Sequence, residues 1–175
     1  YIGTQGIVQG TYETFGACAK QYFGGSLTGR IVLTGGLGGM GSSQAPGVSM
    51  NGGVVMVVEI DPRRIQKRLG TRHIDESYDD FNAAWRRCRE AASAKKPLAV
   101  GLHANAADIM ELVAESDDLP DCITDQTSAH DLLRGYVPSG LSVEEAAALR
   151  ERDPKEYLRR SEQTVVRHLR AMLKL

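Results

Sequence analysis

The chain has 175 residues, 42% of them hydrophobic and 25% charged, with a formal net charge of -1. That is enough for one domain with its own core, and the near-neutral charge leaves no electrostatic footprint for nucleic acid or an acidic membrane surface. No apolar run approaches the ~18 residues of a membrane-spanning helix, and no secretory leader pattern opens the chain.

The opening, "YIGTQGIVQGTYETF" (Tyr1 to Phe15), has no methionine and starts at full apolar pitch, and the close, "VVRHLRAMLKL", stops inside a helical pattern. The chain therefore reads as a single domain, residues 1–175, cut from a longer protein, with a leading helical segment over 1–30 and C-terminal helices over 142–175. Helical spacing of Tyr12, Phe15, Cys18, Ala19 and Tyr22 predicts a helix from Thr11 to Tyr22, stopped by Gly24-Gly25. Ile31 to Thr34 is a short buried-type strand, and after a glycine-rich loop Gln44 to Met50 has room only for a short helix. Gly53 to Ile60, "GVVMVVEI", is a near-continuous β-branched run, as in a parallel strand covered on both faces. Asp61 and Pro62 supply an N-cap and a first-turn proline for a helix through Leu69. Ser77 to Ala94 is predicted as one amphipathic helix with Tyr78, Phe81, Trp85 and Cys88 on its core stripe. Pro97 to Leu102 reads as a strand, Ala106 to Glu115 as a helix and Asp121 to Asp125 as a further strand. Ser142 and Glu145 form a capping box, and Asp153-Pro154 with Glu156 opens a last helix running to the end.

Strands and helices alternating at this spacing predict an α/β fold: a doubly wound, Rossmann-like parallel sheet with flanking helices. Ligands of such sheets sit beyond the C-terminal ends of the strands. Four polar or glycine-rich segments are expected to converge there: the glycine loop, Glu59 to Asp61, "HANA" (His103 to Ala106) and "DQTSAH" (Asp125 to His130).

The glycine loop holds Gly36-x-Gly38-x-x-Gly41 directly after a strand, and Glu59 ends the next strand near the ~20-residue spacing of a ribose-binding carboxylate. One glycine permits a tight turn, one lets a pyrophosphate approach the backbone, and one lets the helix pack on the strand. Glu59 would accept from the ribose hydroxyls and repel a 2′-phosphate, favouring NAD+ over NADP+. Pro46 requires the phosphate-binding helix to start late or kink. Arg63 and Arg64 leave the choice open, since they could welcome a 2′-phosphate; alternatively one reaches the diphosphate or lies along the adenine. Apart from Arg64, the basic cluster of Arg63, Lys67, Arg68 and Arg72 reads as a wet helix face.

Together "YIGTQGIVQGTYETF", "LTGGLGGMGSSQ", "VVEIDPRRIQKRL", "GLHANAAD" and "TDQTSAHD" with "GYVP" closely resemble urocanase, the hydro-lyase that acts second in histidine degradation. The resemblance runs over essentially the whole chain and implies the central NAD-binding domain of an enzyme roughly three times as long, cytoplasmic and homodimeric. It implies tightly held NAD+ acting as an electrophile, and urocanate as the substrate that gains water to become imidazolone propionate. By motif, Gly39, Met40 and Gly41 would line the pyrophosphate, Glu59 would hold the ribose, and Arg64 would contact the cofactor. Asn105 and Ala106, then Gln126, Thr127, Ser128, Ala129 and His130, then Tyr136 and Val137 would complete the site. Ser42 and Ser43 depart from the family's usual loop, and His103 stands where glycine is common. The family's catalytic cysteine belongs to a later segment, and none of Cys18, Cys88 and Cys122 sits in its motif, so no catalytic residue is expected here and the chain alone is expected not to turn over urocanate.

Other chemistries find little support. The three cysteines are distant in sequence, odd in number and without a CxxC pair, which fits free thiols, buried as small hydrophobes, in a reducing cytoplasm. Ser128 and His130, two residues apart with no nucleophile-elbow motif, do not make a hydrolase. His73, His103 and His130 with Cys122 and Asp131 have no metal-ligand spacing. His168 reads as a solvated or partner-facing residue of the last helix, in which Tyr157, Val165, Val166, Leu169 and Leu173 supply the apolar packing surface. On the glycine loop and acid alone, an NAD-dependent dehydrogenase or a non-catalytic nucleotide-binding module remain alternatives.

Overall fold

A computed structural model describes residues 3–175; Tyr1 and Ile2, which open the first of those motifs, lie outside the described residues. The elements are α1 (Gly3–Tyr22), β1 (Ile31–Gly35), a 3-10 turn (Gly41–Ser43), α2 (Gln44–Ser49), β2 (Val54–Glu59), α3 (Pro62–Gly70), β3 (Glu76–Tyr78), α4 (Phe81–Ser93), β4 (Leu98–His103), α5 (Ala106–Ala114), β5 (Cys122–Asp125), α6 (Val143–Arg152) and α7 (Pro154–Lys174). The five strands form one sheet in the order β3-β4-β2-β1-β5, and every pairing is parallel.

Side chains alternate across this sheet and build two cores. On one face Val32, Val55, Val57 and Ala99 pack with Phe15 and Ala19 of α1, Ala45 and Val48 of α2, and Ile65 of α3. On the other, Leu33, Met56, Val58, Val100 and Leu102 pack with Trp85 and Cys88 of α4, Met110 and Val113 of α5, and Ala171 of α7. The chain steps from β1 through β2 to the β3 edge with its crossovers on the first face. It then returns through β4 and passes to β5 with its crossovers on the second. Right-handed crossovers require this arrangement, because steps in opposite directions along a parallel sheet must lie on opposite faces. Reversal of direction places β5 beside β1 and leaves a crevice beyond their C-terminal ends, the switch-point position for a ligand.

Several expectations are corrected. Ser77 and Tyr78 belong to β3, not to the helix, which begins at Phe81 with Asp80 as its cap accepting from the Ala83 N–H at 2.8 Å. Glu76 explains the strand: its carboxylate takes the Arg87 guanidinium of α4 and the Tyr78 hydroxyl, fixing three residues too short to show a period. α1 begins at Gly3, and Tyr22 at its end is exposed. α7 packs through Tyr157, Ser161, Thr164, His168 and Ala171, whereas Val166, Leu169 and Leu173 face outward. Small and polar side chains on that stripe allow close approach to α5, and Arg167 reinforces the contact by bridging Asp108 and Glu111. Of the cysteines only Cys88 is buried; Cys18 and Cys122 are half-buried.

Candidate functional site

The glycine loop is held open by specific contacts. Gly36 has φ +92°, a left-handed conformation that glycine adopts without strain. Its N–H donates to the Val58 carbonyl at 2.7 Å, stitching the loop to β2. Gly41 abuts the Gly36 carbonyl so closely that a Cβ would collide with it, so the 3-10 turn folds directly back on the loop. Pro46 then falls third in α2, within the first turn, where its missing N–H costs nothing. The helix starts late, as that proline requires.

Glu59, 3% exposed at the end of β2, anchors the same loop. Its Oε2 accepts from the Leu37 N–H at 2.7 Å and its Oε1 from the Asp61 N–H at 3.0 Å. The Arg64 guanidinium stands 3.6 Å from Oε2. Arg63 is held in bidentate fashion by Asp61, at 2.9 Å for both contacts. Arg68, read from sequence as part of a wet face, instead clamps the loop: its guanidinium donates to the Leu37 carbonyl at 3.2 Å and the Gly38 carbonyl at 3.1 Å. The signal was its i+4 spacing from Arg64, which puts both on one face of α3.

A cavity of about 310 Å³ lies at the C-terminal ends of β1, β2, β4 and β5. Nine of the predicted residues line it: Glu59, Arg64, Asn105, Ala106, Gln126, Thr127, Ser128, Tyr136 and Val137. Gly39, Met40, Gly41, Ala129 and His130 do not; Met40 and His130 are exposed, and Gly36 and Gly38 form the glycine wall. The turn at 127–131, closed by the Ala129 N–H to the Thr127 carbonyl and the Asp131 N–H to the Ser128 carbonyl, carries His130 outward. Among the described residues no backbone or side-chain acceptor takes the N–H groups of Gly38, Gly39 and Met40. At Gly38 an added Cβ would meet only the Arg64 guanidinium, at 3.8 Å, and at Gly39 nothing within 4 Å. Three unused donors beside an open floor suit an anion, and the lining sets the guanidinium groups of Arg63, Arg64, Arg134 and Arg150 against the carboxylates of Glu59 and Asp61.

The far wall is tied together by buried polar contacts. Asn105 caps α5 through the Ala107 N–H at 3.0 Å and donates to the Val137 carbonyl at 3.0 Å. Tyr157, fully buried, donates its hydroxyl to the Tyr136 carbonyl at 2.7 Å. His168, expected at the surface, is buried behind this wall: Nδ1 lies 3.3 Å from the Tyr136 hydroxyl and Nε2 4.0 Å from the Asp125 carboxylate. Burial holds its pKa below the ordinary imidazole value, the Asp125 charge opposing. Burial likewise pushes the Tyr136 phenol up, with Asp125 adding to the effect. His103, the departure in the HANA segment, links β4 to the β2 loop, with Nδ1 3.1 Å from Asp79 and Nε2 3.2 Å from the Ile60 carbonyl.

Burial pushes the Cys88 thiol up to about 12 and the Cys122 thiol up to about 11, the nearby Cys18 thiol contributing to the latter. Among the described residues no group of three His, Cys, Asp or Glu side chains is placed to hold a metal ion, and no helix is long and apolar enough to cross a membrane. The sequence matches a family model described as the urocanase Rossmann-like domain over residues 3–175.

Proposed function

The chain belongs to the urocanase family, as its Rossmann-like domain, and we propose that it is the NAD+ seat of a urocanate hydratase. The observation that carries the reading is one juxtaposition. A glycine loop with unused N–H donors, which borders the strand-end cavity through Gly36 and Gly38, meets there a buried carboxylate at the end of β2. In this reading the pyrophosphate lies against the Gly38, Gly39 and Met40 amides, where no side chain intervenes. Glu59 accepts from the adenosine ribose with the lone pairs that Leu37 and Asp61 leave free. The β5 side, Gln126 to Ser128, receives the nicotinamide half.

Preference for NAD+ over NADP+ follows from the carboxylates. Glu59 faces the ribose, while the two arginines that could welcome a 2′-phosphate are each beside an acid, Arg63 on Asp61 and Arg64 near Glu59. When bound, NAD+ supplies an electron-poor nicotinamide ring that activates the urocanate imidazole toward addition of water, and it leaves the reaction unreduced. The chain's own part is to bind and orient. Cys88 and Cys122, whose thiols burial raises to about 12 and about 11, are poor nucleophiles at neutral pH, and in this reading the chain does not turn over urocanate by itself.

Calorimetric titration tests the reading. Saturable binding of NAD+, weaker binding of NADP+ and loss of NAD+ binding in Glu59→Ala are expected. Equal affinity for both dinucleotides, or binding indifferent to Glu59, contradicts it. Appearance of reduced-nicotinamide absorbance with an oxidisable substrate would instead favour a dehydrogenase.

A further inference from the structure

The cavity has a wall that no part of the dinucleotide fingerprint explains. Val143, Ala146, Ala147 and Arg150 all line it, and their i, i+3, i+4, i+7 spacing makes them one stripe of α6. That helix is firmly placed. Its capping box joins Ser142 and Glu145, and Ala146 and Leu149 pack with Tyr157, Leu133, Val137 and Leu141. Its first turn comes near the start of α3, where Asp61 first and also the Glu144 carboxylate of α6 raise the pKa of the Arg63 guanidinium. Glu59, Ile60 and Asp61 line the same cavity.

We propose that α6 roofs an adenine slot, with Ala146 and Ala147 against one face of the base and Ile60 against the other. The inference rests on the NAD+ reading above. In a doubly wound sheet the acid ending the second strand takes the adenosine ribose, so the base continues past Glu59 into the space between Ile60 and α6. An adenine ring is flat, and its faces are largely apolar. Alanine side chains end at Cβ, so Ala146 and Ala147 let the helix approach such a ring closely, and Val143 closes one edge. Arg150 bounds the other end and is itself held, with its guanidinium 5.6 Å from the Tyr157 ring centroid and donating to the Leu133 carbonyl at 3.3 Å. Slot width, and with it selectivity for the nucleoside half, is therefore set by a helix lying far along the chain from the glycine loop.

The test enlarges the roof and leaves every residue of the phosphate and ribose contacts untouched. Ala147 is half-buried and faces the cavity, whereas its neighbour Ala148 is exposed and provides the control. Titration with AMP and with NAD+ is expected to show affinity weakened about tenfold or more in Ala147→Leu, with the melting temperature unchanged. Val143→Trp, on the same stripe, should behave alike, and Ala148→Leu should bind as the parent does. Parent-like AMP affinity in both Ala147→Leu and Val143→Trp overturns the roof while leaving the NAD+ reading standing. A parent chain that binds neither AMP nor NAD+ overturns that reading, and the roof with it.

Discussion

Replacing Gly36 with alanine should destabilise the fold, and replacing Gly38 should spare the fold but damage the site. At Gly36 the backbone has φ +92°, and the new Cβ would stand 2.8 Å from the Gln126 carbonyl oxygen and 3.0 Å from its carbon. Both neighbours are backbone, so neither can swing aside. The left-handed conformation costs an L-residue about 1–2 kcal/mol and the crowding about 1–3 kcal/mol, together about 2–5 kcal/mol. For a chain of this length that corresponds to a fall in melting temperature of about 4–20 °C. At Gly38 the backbone is not left-handed, and a Cβ would meet only the flexible end of Arg64 at 3.8 Å. Stability there should stay within about 1 kcal/mol of the parent, yet the methyl would intrude on the cavity floor, and NAD+ affinity should drop. Scanning calorimetry and NAD+ titration on the two variants read both effects. A Gly36→Ala chain that melts with the parent, or a Gly38→Ala chain that falls as far as Gly36→Ala, would refute the division of labour between the two glycines.

Glu59→Gln keeps the shape of a buried side chain but turns an NH2 toward one of the two backbone N–H groups it serves. A loss of about 1–3 kcal/mol is expected by urea denaturation. Arg68→Ala removes the guanidinium from the Leu37 and Gly38 carbonyls, the latter keeping only the Ser42 N–H, and should cost about 1 kcal/mol in the same assay while lowering NAD+ affinity through a loosened loop. His168 is buried with its pKa below the ordinary value, so folding favours its neutral form. Its contribution is complete above the unfolded value of about 6.5 and is lost as pH falls below it toward the depressed folded value. The urea midpoint of the parent should accordingly decline more steeply from pH 6.5 downward than that of His168→Gln. Cys88, with its thiol near 12 and fully buried, should resist iodoacetamide at pH 8 in the native chain and react on unfolding, as mass spectrometry would show.

Legibility followed the length of the signal. The strands at Ile31, Gly53 and Pro97 are apolar runs buried on both faces, and their pattern was sufficient to place them within a residue or two. The caps at Asp61, Ser142 and Asp153 were visible because capping needs particular side chains at fixed offsets. β3 was not visible: three residues cannot display a period, and Glu76 is held by Arg87, a partner that only the fold supplies. The same limit explains His168 and the outward stripe of α7, where residue type suggested one face and packing against α5 selected another. Around the cavity, the convergence of four strand ends was legible because a parallel sheet dictates it. Arg68 and the α6 stripe were not, since a guanidinium bound to backbone carbonyls and a pair of alanines carry no motif.

The most direct test of the central claim is an amide chemical-shift map of the labelled chain titrated with NAD+. Perturbations concentrated at Gly38, Gly39, Met40, Ala106 and Thr127, saturating together, are the predicted result. A saturating response centred elsewhere, for instance around Leu133 and Glu151 with the glycine loop silent, would place the dinucleotide outside the strand-end cavity and contradict the account.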